Sequence, residues 1–362
     1  MIKSCYIHIP FCSHICSYCD FCKVFYNEKL VDNYLDGLEK EISKYYRGDK
    51  LKTIYIGGGT PSSLSISQLK RLFSILKVFS LEDDYEYTIE CNIENITEEK
   101  LMLFKENRIN RISIGIESFN PNLLKFLERH YTKADIYKKI DLVKNYFSNI
   151  NVDLMYAILG ESLLDLENDI DEILRLGVSH ISTYSLILED NTKLSILNTE
   201  YIDEEVDLKM YQLICDKLFK SGYCHYEISN FSLPGKESKH NLTYWKNLPY
   251  YGFGLGASGY IDSVRYTNTK SMRHYFEKKY RYEEEVIDSK LDRENQIMLN
   301  LRTLDGISKD EFFNKFGKKL EEFYDIVWLK KENILLEDDD RYYINPEKWY
   351  ILNEILVYFI GE

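Results

Sequence analysis

Cysteine is the residue type that could do the most here, and it is unevenly placed. Five of the eight cysteines lie in the first 22 residues, in the stretch Cys5-Tyr-Ile-His-Ile-Pro-Phe-Cys12-Ser-His-Ile-Cys16-Ser-Tyr-Cys19-Asp-Phe-Cys22. Thiolates this close on one short loop can converge on an ion or a cluster. Cys12, Cys16 and Cys19 are spaced C-x3-C-x2-C. A four-iron cluster held by three thiolates keeps one iron free of protein, where a substrate or cofactor can chelate. A structural zinc site usually draws on two separated pairs of ligands, yet Cys12, Cys16, Cys19 and Cys22 could make a compact four-thiolate site, and zinc stays open as the plainer reading. Disulfides fit less well, because nothing in the sequence marks it for export.

A second segment carries chemistry of another kind. Thr53-Ile-Tyr-Ile-Gly57-Gly58-Gly59-Thr60-Pro61-Ser62 reads as a strand running into three glycines. Such a turn lets backbone come within hydrogen-bonding distance of a ligand, cradling an anion or accepting from an ammonium group. The plainer alternative is a tight strand-to-helix turn. A dinucleotide site lacks its G-x-G-x-x-G pattern.

These segments need elements to hold them. Strands are expected at 5–9, 53–57, 85–90, 111–116, 152–157 and 180–186, each rich in Ile, Val, Tyr or Thr. Amphipathic helices are expected at 67–79, 163–176 and 203–221, the last ending at Gly222. Six strand–helix units in succession imply an α/β fold with a parallel sheet curled into a partial barrel, with functional groups at the strand C-terminal ends. The cysteine loop follows the first strand, where that rule puts it. From about residue 223 the chain reads as loop-rich, with aromatics and Gly. Helices return at 293–304, 309–316 and 319–327, and a short strand at 341–345 closes a small α+β, winged-helix-like module. The expected division is a core over 1–222, an extension over 223–289 and a C-terminal domain over 290–362.

Bulk properties narrow the classes. The 362 residues are 44% hydrophobic and 29% charged, ordinary for a globular protein. A formal net charge of −13 argues against a nucleic-acid partner. No apolar run approaches the ~20 residues of a membrane span, and no apolar segment with a small-residue cleavage site opens the chain. The expected compartment is the reducing cytoplasm.

The C-x3-C-x2-C loop resembles that of the radical S-adenosylmethionine (SAM) enzymes. Over nearly the whole chain the sequence resembles the oxygen-independent coproporphyrinogen oxidase family, and within it the heme-chaperone branch. The matches are Tyr6-Ile-His-Ile-Pro-Phe-Cys12, Gly57-Gly-Gly-Thr-Pro-Ser62, Thr88-Ile-Glu90-Cys-Asn92, Ser113-Ile-Gly-Ile-Glu-Ser-Phe-Asn120, Asp153-Leu-Met-Tyr156, Tyr226-Glu-Ile-Ser-Asn-Phe231, and Leu299-Asn-Leu-Arg302 followed by Gly306. The resemblance implies a radical SAM barrel binding a 4Fe-4S cluster, SAM and heme or a porphyrin. Cys12, Cys16 and Cys19 would be the cluster ligands. Tyr6 and Tyr18 would flank the cluster and approach SAM, and Gly58, Gly59 and Thr60 would line its methionine end. Glu90 would accept a hydrogen bond from its ribose or amino group, and Glu117, Arg129 and Asp153 would complete the pocket. Implied partners are heme-accepting proteins, membrane-bound respiratory enzymes among them, and a reductant such as flavodoxin or ferredoxin.

Four departures from the family pattern stand out. Glu117 takes the place of Gln, Glu128 that of a Gly before Arg129, and Ala157 and Leu159 those of Gly and Pro. Cys22 follows Cys19 by three positions rather than two. Two activities are compatible with the resemblance. In the oxidase, a 5′-deoxyadenosyl radical abstracts hydrogen from a porphyrinogen propionate, which then loses carbon dioxide. That enzyme carries an N-terminal arm of several dozen residues before its cysteine loop, for which Cys12 leaves no room. The segment His240-Asn-Leu-Thr-Tyr244-Trp245 resembles an H-N-x-x-Y-W signature of the chaperone branch and favours heme handling. A neutral imidazole from His240 suits heme iron, and Trp245 offers a flat apolar surface. The alternative is that His240 bonds within the core and Trp245 fills it. Cys22 is a second candidate iron ligand.

Overall fold

The computed structural model describes residues 1–190, 192–197 and 199–360. Its frame is one twelve-stranded sheet. The six core strands are β1 (Ser4–Ile9), β2 (Lys50–Gly58), β3 (Ser80–Asn92), β4 (Arg111–Glu117), β5 (Ile150–Tyr156) and β6 (His180–Ser185). They lie side by side in chain order, every adjacent pair parallel. Each expected strand is present, because Ile, Val and Tyr on both faces suit a sheet covered on both sides. The pairings Ile9 with Gly58, Glu90 with Ser113 and Gly115 with Asp153 bring the strand C-terminal ends to one rim.

The crossover helices are capped by their own sequence. Ser65 and Gln68 form a capping box opening Ile66–Leu76, and Ser162 and Asp165 do the same for Leu163–Leu176. The second helix buries Leu166, Ile170, Ile173 and Leu176 against the sheet and stops at Gly177, with φ 58°. Such faces, with the strands they cover, build a continuous core from Ile2 to Tyr280.

The stretch read as loop-rich is a sheet extension, which corrects the expectation. Its strands are β7 (Cys224–Glu227), β8 (Asn230–Ser232), β9 (Tyr250–Phe253), β10 (Ser258–Ile261), β11 (Val264–Asn268) and β12 (Arg281–Val286), in the order β12-β11-β10-β9-β1-β2-β3-β4-β5-β6-β8-β7. β9 is a seventh parallel strand, set against β1. Glycine hid these short strands: a Cβ on Gly252 would sit 1.8 Å from the Ser258 carbonyl oxygen, so the position tolerates nothing larger.

Residues 297–359 pack a separate apolar cluster around Trp349, Phe312 and Leu329, beside a three-stranded sheet of Ile307–Ser308, Arg341–Ile344 and Leu335–Glu337. The helix expected at 319–327 is instead a 3-10 turn at Leu320–Glu322 and a helix at Val327–Lys331. Asp325 accepts from the Val327 N–H and starts the second afresh. Among the described residues no helix is long and apolar enough to cross a membrane.

Two departures noted in the sequence now have a structural meaning. Glu128 (φ 59°) and Ala157 (φ 56°) occupy the left-handed region, where the family pattern has glycine. A side chain there costs about 1–2 kcal/mol, while glycine loses about 0.5–1 kcal/mol through the unfolded chain. Glu128 gives up only a largely exposed ion pair with Lys193 on replacement. Glu128→Gly is therefore expected to stabilise the fold by roughly 0.5–1 kcal/mol in denaturant melts. Ala157 is buried, and losing its methyl costs about 0.8 kcal/mol, which brings Ala157→Gly close to neutral. A Glu128→Gly variant destabilised by about 1 kcal/mol or more would show that the Lys193 contact outweighs the backbone term.

Candidate functional site at the rim of the barrel

A cavity of about 440 Å³ opens at the C-terminal rim, where the cysteine loop folds over the strands. Cys12, Cys16 and Cys19 line one wall, and Gly58, Gly59 and Thr60 lie beside them. Tyr18, Glu90, Glu117, Arg129 and Asp153 complete the predicted residues that meet there. All three thiols are free, and Thr60 Oγ1 donates to Cys12 Sγ at 3.6 Å. Burial pushes the Cys12 thiol up to about 11.

The glycine turn is shaped by close approach. Gly58 has φ 116°, and its N–H donates to Glu90 Oε2 at 3.0 Å. A Cβ on Gly59 would stand 2.8 Å from the Pro10 carbonyl oxygen and 2.9 Å from Cys12 Sγ. The turn and the cysteine loop thus press together with no room for a side chain between them. Tyr55, next but two along β2, donates to Glu90 Oε1 at 2.8 Å. Burial pushes Glu90 up to about 7, against the pull of these hydrogen bonds and with the nearby Asp153 charge adding to the rise. Burial and the charge of Glu117 push Asp153 up to about 6, while Ser182 and Asn151 act the other way. Glu117 forms a buried ion pair with Arg129, which also donates to Tyr18 OH at 2.9 Å. The acidic substitution therefore neutralises Arg129 inside the cavity, a task Gln could not perform.

Three sequence expectations are not met by this arrangement. Tyr6 donates to His8 and lines a second cavity on the other side of the loop. His240 is 1% exposed and lines neither cavity. Its Nδ1 pairs with Thr53 Oγ1 at 2.8 Å and its Nε2 with Tyr244 OH at 2.7 Å. Burial lowers it to about 3, so it is neutral, but neither ring nitrogen is free for iron. This corrects the expectation of His240 as axial ligand. Trp245 also lines neither cavity, and its carbonyl accepts from Asn300 in the C-terminal segment. The sequence reading overlooked Tyr55, Asn151 and Arg111, whose buried Nε has no hydrogen-bond partner among the described residues. Period-two alternation through Arg111, Ser113, Gly115 and Glu117 would have placed Arg111 on the inward face.

The donor set fits a cluster and SAM. A single tetrahedral ion would draw all its ligands onto one centre. A four-iron cluster instead takes each thiolate on a different iron, which three thiols spread along one wall can satisfy. Beside them, the side-chain-free turn and the Glu90 carboxylate offer the close approach and the acceptor that a charged amino group needs.

Residues 6–173 match the model of the radical SAM superfamily. The fold is that of coproporphyrinogen III oxidase (HemN) from Escherichia coli, described as a radical SAM enzyme, with a TM-score of 0.88 over 99% of this chain and 90% of that one, at 19% identity. Barrel and rim together are thus a radical SAM core. The chain is 40% identical to the heme chaperone HemW of Lactococcus lactis, over 99% of this chain and 97% of that protein. It is 38% identical to that of Bacillus subtilis over the full length of both. It belongs to the HemW family.

Proposed function

We propose that this protein is a heme chaperone that binds a 4Fe-4S cluster, SAM and heme and delivers heme to acceptor proteins. The observation that carries the reading is that similarity to the two heme chaperones runs through the extension and the C-terminal segment as well as the core matched by the superfamily. Likeness to the oxidase at 19% identity concerns the fold alone.

In this reading Cys12, Cys16 and Cys19 each hold one iron. Gly58, Gly59 and Thr60 receive the methionine end of SAM, and Glu90 accepts from its amino group or ribose. Asp153 and the Glu117–Arg129 pair close the far side, and Tyr18, on the cluster loop itself, accepts a hydrogen bond from Arg129. A cluster held by these three cysteines would supply one-electron reduction of SAM, with a flavodoxin or ferredoxin as the source of the electron. Residues 1–222 form the core, 223–289 the extension and 290–362 the C-terminal unit, a division supported by the separate apolar cluster of residues 297–359. Acceptors include membrane-bound respiratory enzymes, and the site of action is the cytoplasm.

One anaerobic sample carries the test. Protein reconstituted with iron and sulfide, given SAM and a reductant, is expected to bind hemin at about one per chain and pass it to a heme-depleted acceptor. The same sample should leave coproporphyrinogen III unchanged. Decarboxylated porphyrinogen formed at catalytic turnover would overturn the chaperone reading in favour of the oxidase.

A further inference from the structure

The second cavity, also about 440 Å³, lies behind the cysteine loop and shares only Asp20 and Phe21 with the rim cavity. Its walls include Tyr6, Tyr244, Tyr250, Phe21 and Cys22, with Lys270 at the edge. Phe21 is 63% exposed, an apolar ring held in water on a loop that borders both cavities. Tyr244 and Tyr250 meet edge to face with ring centroids 4.7 Å apart. The charged lining is Lys270 and Asp20, so the aromatic walls suit a flat, largely apolar ligand, and Lys270 alone could pair with a carboxylate on it.

The phenols differ in what is left to them. His8 Nε2 bonds the Cys22 carbonyl at 2.7 Å, and a carbonyl only accepts, so that nitrogen carries the ring proton. Nδ1 is then the acceptor, and the Tyr6 hydroxyl at 3.0 Å donates to it. Tyr244 is engaged with His240 at 2.7 Å. The Tyr250 hydroxyl has no hydrogen-bond partner among the described residues, and its side chain is only partly buried.

We infer that this second cavity is the seat of the heme, with Tyr250 as the oxygen ligand of ferric iron and Lys270 pairing with a propionate. The inference rests on the heme-chaperone reading and names the site that reading needs, in place of His240. On binding, the Tyr250 O–H bond breaks, an Fe–O bond forms and the proton leaves to water; iron stays ferric, so no oxidant or reductant is required. Burial raises the Tyr250 phenol above its ordinary value and the charge of Arg265 opposes that rise, so it is bond formation to the iron that must draw the proton off. Because Phe21 and Cys22 belong to the loop that carries Cys12, Cys16 and Cys19, heme and cluster would share a wall, and loading of one would be felt at the other.

Hemin titration of the reconstituted protein, read by absorption and resonance Raman spectra, tests this directly. Wild type is expected to give a ferric phenolate spectrum. Tyr250→Phe, which keeps the ring, should lose that spectrum and bind hemin about tenfold or more weakly. Lys270→Glu should weaken binding several-fold with the ligation spectrum unchanged. SAM affinity and iron content should be unaltered in both, which excludes misfolding as the cause. A wild type that binds no hemin would sink the heme reading itself. A wild type that binds hemin, with both variants indistinguishable from it, would sink this site alone. A thiolate spectrum abolished by Cys22→Ala would move the iron ligand from Tyr250 to Cys22.

Discussion

Anaerobically reconstituted protein is expected to be brown and to carry about four irons and four sulfides per chain. Replacing any one of Cys12, Cys16 or Cys19 with Ala should abolish that content, and Cys22→Ala should largely preserve it. The asymmetry follows from position: the first three thiols line the rim cavity, whereas Cys22 lines the other one, with its backbone tied to His8. Cluster assembly must also remove protons, since burial holds the Cys12 thiol up near 11 in the metal-free chain. Incorporation should accordingly fall as pH is lowered, with protons released on binding. Stoichiometric zinc in the purified protein, or equal loss of iron in all four variants, would overturn the three-ligand assignment.

The parts of this fold that were legible in the sequence are those with strong local periodicity. The core strands are Ile-, Val- and Tyr-rich runs at regular spacing, and Leu163–Leu176 announces itself by its capping box, its apolar stripe and Gly177. The extension was not legible, because its strands are three to six residues long and two of them carry glycine for close packing. The site divided along a similar line. Cys12, Cys16, Cys19 and the glycine turn are contiguous motifs, and the rim of the barrel brings them together. His240 failed as a ligand because residue type says nothing about burial. Only three dimensions show Thr53 and Tyr244 closing off both nitrogens. Tyr250 was invisible for the converse reason: among 31 tyrosines, only the structure distinguishes the one whose hydroxyl remains unclaimed in its cavity.

The turn at Gly58 offers the sharpest separation of SAM binding from cluster binding. Gly58→Val should lower SAM affinity by about a hundredfold or more, measured by calorimetry on reconstituted protein, with iron content retained. The backbone φ of 116° is closed to a β-branched residue, and a Cβ would lie 2.6 Å from the His8 ring. That ring is held at both nitrogens by Tyr6 and Cys22 and cannot step aside without cost, so the turn must move. Movement breaks the Gly58 N–H to Glu90 bond and the cradle with it. The Glu90 carboxylate supplies an independent check through pH. Burial pushes Glu90 up to about 7, above its unfolded value, so it gains a proton as pH falls through that range and ceases to be a charged acceptor. SAM affinity should therefore fall between about pH 8 and pH 6 in wild type. Glu90→Gln should bind roughly 1–3 kcal/mol more weakly and lose most of that pH dependence. If iron disappears together with SAM in Gly58→Val, the turn serves the cysteine loop rather than SAM. If Glu90→Gln keeps the full pH profile, the titrating acceptor is another group, with Asp153, pushed up to about 6, the next to test.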